Sequence, residues 1–149
     1  MKSRMTHRER VMAALNLQEP DRVPVDFGST IATTIIQPAY EKLQRFLEIP
    51  HEIQFMAKRA RTVIPDERVL QRFDIDTRPV LLGDFKGGSY REIDSETLVD
   101  VWGTTWKRAP DGHFINADGP FQKVEPTLEV LERFQWPDPN TPSLYAGLK

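Results

Sequence analysis

The amino-acid sequence predicts an α/β fold, because segments with the period of a helix alternate with short apolar segments typical of strands. A helix predicted at 66–73 is followed closely by a strand predicted at 77–82, a spacing usual where a helix covers its strand. After Gly83 the pattern changes, and two β segments predict an antiparallel hairpin at 97–121. The predicted class is therefore α/β with an inserted antiparallel β-hairpin.

The first predicted elements are a helix at 6–18 and a strand at 23–27. Thr6 and Glu9 have the spacing of a capping box, in which both side chains satisfy free N–H groups at a helix start. Pro20 cannot continue the helix. The apolar run VPVDF then predicts the strand, and Gly28 follows it.

Helix-start signals also place the later helices. Pro38 suits the first turn of a helix at 38–48, and Thr127 precedes a helix at 128–135. Residues 51–64 have no strong period, which leaves a loop or a short helix there. Asp111 and Gly112 are the turn formers expected in the hairpin. A last helix begins at Thr141, close to the end of the sequence, and suggests a truncated chain.

Composition limits the classes of function. With 20 basic and 22 acidic residues among 149, the net charge of -2 gives no field that would recruit nucleic acid. The absence of cysteine excludes disulfides and Cys-bound zinc within these residues, and it fits a reducing compartment. No apolar segment has the length of a signal h-region or of a membrane span. We therefore expect a cytoplasmic protein that binds neither nucleic acid nor membrane.

Four segments carry a family resemblance. In order, they are RERVMAALNLQEPDRVPVDFG, ERVLQRFDIDTRPV, DVWGTTWKR and WPDPNTPSLYAGL. Together they resemble the N-terminal part of the uroporphyrinogen decarboxylase superfamily, which includes porphyrinogen decarboxylases and methylcobamide:thiol methyltransferases. The resemblance implies that residues 1–149 are one partial domain, the N-terminal portion of a TIM (β/α)8 barrel.

The barrel geometry implied by the resemblance selects the candidate pocket residues. Active sites of such barrels lie at the carboxyl ends of the strands, which places Asp26 and Ser29 after the first strand and Asp84 after the second. The alternative is that Asp26 and Ser29 only form a turn and that Asp84 lies in a solvated turn. Catalytic residues are not identified.

The resemblance also separates two branches of the superfamily. Porphyrinogen decarboxylases have an arginine-rich segment after the first strand, whereas this sequence has DFGSTIATT there. A substrate with eight carboxylates needs bidentate cationic partners. We therefore expect the corrinoid-dependent methyltransferase or demethylase branch, with uroporphyrinogen decarboxylation in porphyrin biosynthesis as the alternative.

Cofactors and partners follow from the same resemblance. The resemblance implies that complete family members use zinc and a corrinoid protein, with metal ligands in the second half of the barrel. No metal or cofactor site, and no turnover, is therefore expected from this chain alone. In the complete barrel, the substrate is a small molecule or a corrinoid protein. The non-enzymatic alternative is a split subunit or binding module, whose open sheet edges favour self-association or a complementing chain.

Two further residue pairs leave alternatives open. Trp102 and Trp106 have a spacing that suits stacking on a corrinoid or a pterin, but aromatic packing beneath the hairpin is favoured. Asp76 and Arg78 alternate at the start of the second predicted strand, where they either pair with each other or lie at the barrel mouth, and a plain surface or inter-element salt bridge is favoured.

Overall fold

The structure is a computed structural model that describes residues 5–110 and 112–148. Its helices are α1 (His7–Leu15), α2 (Gln37–Leu47), α3 (Glu67–Arg72), α4 (Leu128–Arg133) and α5 (Pro142–Tyr145). Its strands are β1 (Phe55–Ala57), β2 (Thr62–Val63), β3 (Tyr90–Asp94), β4 (Thr97–Asp100), β5 (Thr105–Arg108) and β6 (Phe114–Asp118). The chain divides into two compact units, which we call unit 1 (Met1–Val80) and unit 2 (Leu81–Lys149).

The predicted α/β fold with a portion of a TIM barrel is wrong. A barrel needs parallel strands, but β1 and β2 form one small antiparallel sheet and β3 to β6 form a second. Residues 23–27 and 77–82, the expected barrel strands, form no strand. Asp76 N donates to Val25 O at 2.9 Å, and this single bond does not make a ladder between the two regions.

Unit 1 contains three helices and the small sheet around one apolar core. Tyr40, Val63 and Val69 are fully buried at its centre. Thr6 and Glu9 form the capping box at the start of α1, and Asp66 accepts a bond from Arg68 N at the start of α3. The core thus joins α2, β2 and α3.

Residues 51–64 contain β1 and β2 rather than a loop or a short helix. The two strands pair antiparallel, with Phe55 opposite Val63 and Ala57 opposite Thr62. The register shifts between Phe55 and Ala57, and such an irregularity obscures the two-residue alternation from which strands are predicted.

Unit 2 is built on a meander of four strands in the order β3-β4-β5-β6. The expected hairpin at 97–121 supplies three of them, and the sheet begins earlier, at Tyr90. Leu98 lies opposite Glu92 and Trp106 and is 3% exposed, so it is the most buried apolar residue of this sheet. Asp111 of the predicted turn lies outside the described residues.

One glycine of unit 2 is required by a close approach. Gly83 N donates to Leu144 O at 2.8 Å, and a Cβ at position 83 would lie 2.2 Å from Ser143 O. Any larger residue would therefore displace α5 from this part of the chain.

None of the helices in the part of the chain that the structure describes combines the length and the apolar character needed to cross a bilayer.

Candidate functional site

The structure brings Asp26 and Ser29 together in one turn. Ser29 Oγ donates to Asp26 Oδ2 at 2.6 Å, and Ser29 N donates to Asp26 Oδ1 at 3.2 Å. Thr77 Oγ1 donates to the same carboxylate at 2.5 Å, from a position 51 residues later. We call Asp26, Ser29 and Thr77 the Asp26 cluster.

Gly28 gives this turn its shape. Its φ is +88°, and a Cβ there would lie 2.7 Å from the ring of Pro65. Any other residue at position 28 would be strained by the left-handed backbone and would clash with the ring of Pro65. The turn formers of DFGST thus fix the position of the Asp26 carboxylate.

The electrostatics of the Asp26 cluster favour an anion. Partial burial acts to raise the pKa of Asp26, but the hydrogen bonds from Ser29, Thr77 and Thr33 outweigh it and lower the pKa. Asp26 is therefore a charged acceptor at neutral pH and a weak base. In residues 5–110 and 112–148, no cationic side chain donates to this carboxylate.

Asp84, the third predicted pocket residue, lies in unit 2, whereas Asp26 and Ser29 lie in unit 1. Its carboxylate accepts a bond from Ser89 Oγ at 2.6 Å, and its carbonyl accepts one from Ser143 Oγ at 2.7 Å. The side chain is exposed, and its partner Ser89 lies five positions later in the sequence. These contacts fix the irregular segment around Asp84 within unit 2.

A second polar group of unit 1 is centred on Asp76, whose side chain has no exposed area. Its carboxylate accepts bonds from His7 Nδ1 at 2.7 Å, from Arg22 Nη1 at 2.6 Å and from Val25 N at 2.8 Å. Arg10 Nη1 donates to it as well. Burial acts to raise the pKa of Asp76, but these donors together hold it at about 2.

Both arginines of this group also bind other carboxylates. Arg10, 1% exposed, donates from Nε and Nη2 to the two carboxylate oxygens of Asp21, at 2.6 and 3.1 Å. Arg22 Nη2 donates to Asp74 Oδ2 at 2.8 Å. We call these residues the Asp76 network: His7, Arg10, Asp21, Arg22, Asp74 and Asp76. Its buried charges are paired, and they connect α1 with residues 21–22 and 74–76.

Sequence reasoning missed most of the Asp76 network. Asp76 and Arg78 do not pair, because Arg78 donates from Nε and Nη2 to Glu67 at 2.8 Å in both cases. Arg10 precedes the buried Ala13 by one helical turn and so lies on the same face of α1. That position in the sequence is the signal for the burial of Arg10.

The two tryptophans have separate partners in unit 2. Trp106 Nε1 donates to Asp100 Oδ2 at 2.8 Å. Trp102 packs edge-on against Trp136, with ring centroids 6.2 Å apart, and Trp136 contacts Phe121 and Phe134. Both rings are thus held by contacts within the unit.

A pocket of about 490 Å³ lies at the end of α2 in unit 1. It is lined by Glu41, Gln44, Arg45, Glu48, Pro50 and His51. Gln44 Nε2 donates to His51 O at 3.1 Å, which fixes one wall. No residue predicted for the site lies in it.

The described residues contain no group of three or more His, Cys, Asp or Glu side chains arranged to hold a metal ion. Comparison with known proteins finds no matching family profile, no matching curated protein and no matching solved structure.

Proposed function

We propose that the chain serves corrinoid-dependent methyl transfer, as a segment of the methyltransferase and demethylase branch of the uroporphyrinogen decarboxylase superfamily. The proposal rests on the four sequence segments and on one observation: in the described residues, the Asp26 cluster has no cationic donor. Arg22, four residues before Asp26, is bound to Asp74 and Asp76 instead.

Electrostatics distinguish this function from porphyrinogen decarboxylation. The lowered pKa of Asp26 keeps its carboxylate charged at neutral pH. A negative charge repels the carboxylates of a porphyrinogen, and the two nearby arginines, Arg10 and Arg22, are engaged in the Asp76 network. A methyl group carried on a corrinoid does not require cationic partners at the site.

Zinc is the metal that the resemblance implies for complete members. The residues present do not fit it, because the sequence has no cysteine and the described residues form no ligand group. We therefore derive no step through zinc. The proposed role is to bind the corrinoid-borne substrate next to a complementing chain in the cytoplasm, a location that the lack of cysteine supports.

The second candidate is a non-enzymatic binding module that needs a partner chain. The observation in its favour is the exposure of Val80, Leu81 and Leu82, three consecutive apolar residues. Such a surface favours association over catalysis.

Equilibrium dialysis tests the proposed function. The purified chain is dialysed against methylcobalamin or uroporphyrin, the oxidised analogue of uroporphyrinogen, and each ligand is measured by its visible absorbance. We expect the chain to retain methylcobalamin and not uroporphyrin. Asp26→Ala should weaken retention by roughly 10- to 150-fold, since charged hydrogen bonds contribute about 1.5–3 kcal/mol.

Glu52→Ala, which removes an exposed carboxylate of the same unit, is the matched control and should bind as the parent does. Retention of uroporphyrin in preference to methylcobalamin would favour the decarboxylase. Retention of neither ligand would contradict the proposed binding role.

A further inference from the structure

Segment 78–84, with the sequence RPVLLGD, connects the two units, because unit 1 ends at Val80 and unit 2 begins at Leu81. Residues 75–85 form no helix, strand, turn or bend. Val80 is 82% exposed and Leu82 is 61% exposed. The apolar side chains of this irregular segment are thus exposed to solvent.

The backbone of this run can also form hydrogen bonds with another chain. Within the described residues, the N–H and C=O groups of Val80, Leu81 and Leu82 have no protein partner. Gly83 N is bound to Leu144 O, and Pro79 has no N–H. Exposed backbone groups beside apolar side chains are the features by which one strand pairs with another.

We propose that two copies of the chain associate by antiparallel pairing of segment 78–84, centred on Leu81. In this register Val80 lies opposite Leu82 of the second copy, and Leu81 lies opposite Leu81. Arg78 lies opposite Asp84 at both ends. The sequence is therefore complementary to itself in charge and in apolar character. This inference rests on the exposed run that also supports the binding module, and it does not depend on the proposed methyl transfer.

The hydrogen-bonding pattern agrees with this register. Antiparallel pairs alternate between bonded and non-bonded positions. When Val80 and Leu82 are the bonded pair, Pro79 and Gly83 face each other at a non-bonded position. That position needs neither the N–H that Pro79 lacks nor the N–H that Gly83 already uses.

The end charges favour the same register. Arg78 uses Nε and Nη2 on Glu67, and Nη1 on the carbonyls of Ile75 and Thr77, which leaves one Nη2 N–H. The exposed Asp84 carboxylate binds Ser89 and has further acceptor positions. A shift by one residue would lose both ion pairs, so the charges select the symmetric register.

Disulfide trapping tests the register directly, because the chain has no cysteine of its own. Leu81→Cys places two thiols at the symmetry centre, where Cα atoms of a non-bonded pair are about 4.5 Å apart and within disulfide range. After mild oxidation, we expect Leu81→Cys to give at least about fivefold more covalent dimer than Phe46→Cys. Phe46, on α2, is 82% exposed and is the matched control.

Sedimentation equilibrium measures the association without a cross-link. A contact of this size predicts a weak dimer, with a dissociation constant of roughly 10 to 1000 μM. Leu82→Lys should raise that constant at least tenfold because two charges replace two apolar contacts, whereas Phe46→Lys should leave it unchanged. A parent chain that stays monomeric to about 1 mM overturns the proposal. Equal effects of the two lysine substitutions, or equal trapping of the two cysteine variants, overturn it as well.

Discussion

The Asp76 network of unit 1 and the sheet of unit 2 are held by contacts of different range. In unit 1, Asp76 binds Arg10 across 66 positions of sequence and Arg22 across 54. In unit 2, the corresponding polar contact joins Trp106 to Asp100 across 6 positions, within a sheet whose strands follow one another in order. Unit 1 therefore adds one buried carboxylate with distant partners to its apolar core, whereas the sheet of unit 2 is held by bonds between successive strands.

Asp76→Ala is expected to cause the largest loss of folding stability, and the loss should fall on unit 1. The change leaves Arg10, 1% exposed, with fewer partners, and breaking a buried ion pair costs about 3–5 kcal/mol. Urea unfolding with amide hydrogen exchange should show loss of protection in unit 1. Tryptophan fluorescence should stay native, because Trp102, Trp106 and Trp136 all lie in unit 2.

Glu67→Ala is the control for Asp76→Ala. It breaks the ion pair of Glu67 with Arg78, in which both side chains are substantially exposed, and should cost less than about 1 kcal/mol. Equal losses from the two substitutions would mean that burial of Asp76 is not what stabilises unit 1.

A smaller loss of stability is expected from Leu98→Ala, which should destabilise unit 2 instead of unit 1. Leu98 is 3% exposed, and removal of a buried leucine side chain costs about 2–4 kcal/mol. Unfolding followed by tryptophan fluorescence should shift to lower urea while the amides of unit 1 keep their protection. Ile115→Ala, at a position that is 57% exposed on β6, should change stability by less than about 0.5 kcal/mol. Loss of protection in both units would show that they unfold as one.

Acid should produce the smallest and a reversible effect. The pKa of Asp76 is about 2 in the folded state, against about 3.9 for an unfolded aspartate. Its contribution, about 2.5 kcal/mol at most, is therefore complete above the unfolded pKa and is lost as the pH falls toward 2. Hydrogen exchange at pH 6, 4 and 3 should show unit 1 losing protection first.

Asp76→Asn is the control for the acid experiment, because the amide has no proton to gain. The variant should be less stable at pH 6, and the pH dependence of unit 1 should be reduced. An unchanged acid profile in Asp76→Asn would assign the effect to another carboxylate. Asp66, whose hydrogen bond from Arg68 lowers its pKa to about 2, is the candidate in that case.

Local signals in the sequence placed the helix starts closely. The capping residue Thr6 and Pro38 lie within one position of the first residues of α1 and α2, because these signals act over a single turn. The expected strands at 23–27 and 77–82 failed for a different reason. Their apolar patterns show that a strand is suitable there, but a strand forms only when another backbone pairs with it, and a pattern does not reveal its partner.

The candidate site was predictable only in part. Asp26 and Ser29 were found because a turn signal surrounds them, whereas their contact with Thr77 spans 51 positions and leaves no local trace. The Asp76 network runs against the rule that charged residues are exposed, so patterns of hydropathy exclude Arg10 and Asp76 from the interior. Only the three-dimensional pairing of opposite charges resolves that conflict.

The long separation between Arg10 and Asp76 also determines when their contact can form during synthesis of the chain. A ribosome adding about 5–20 residues per second needs roughly 3–13 s to extend the chain from one to the other. Throughout that interval the first helix can form its capping box but cannot dock through Asp76. The strands of the later sheet follow one another within a few residues, so each can pair soon after it is synthesised. Asp76 is nevertheless made before Tyr90, so the Asp76 network can be complete before the first strand of the later sheet is synthesised.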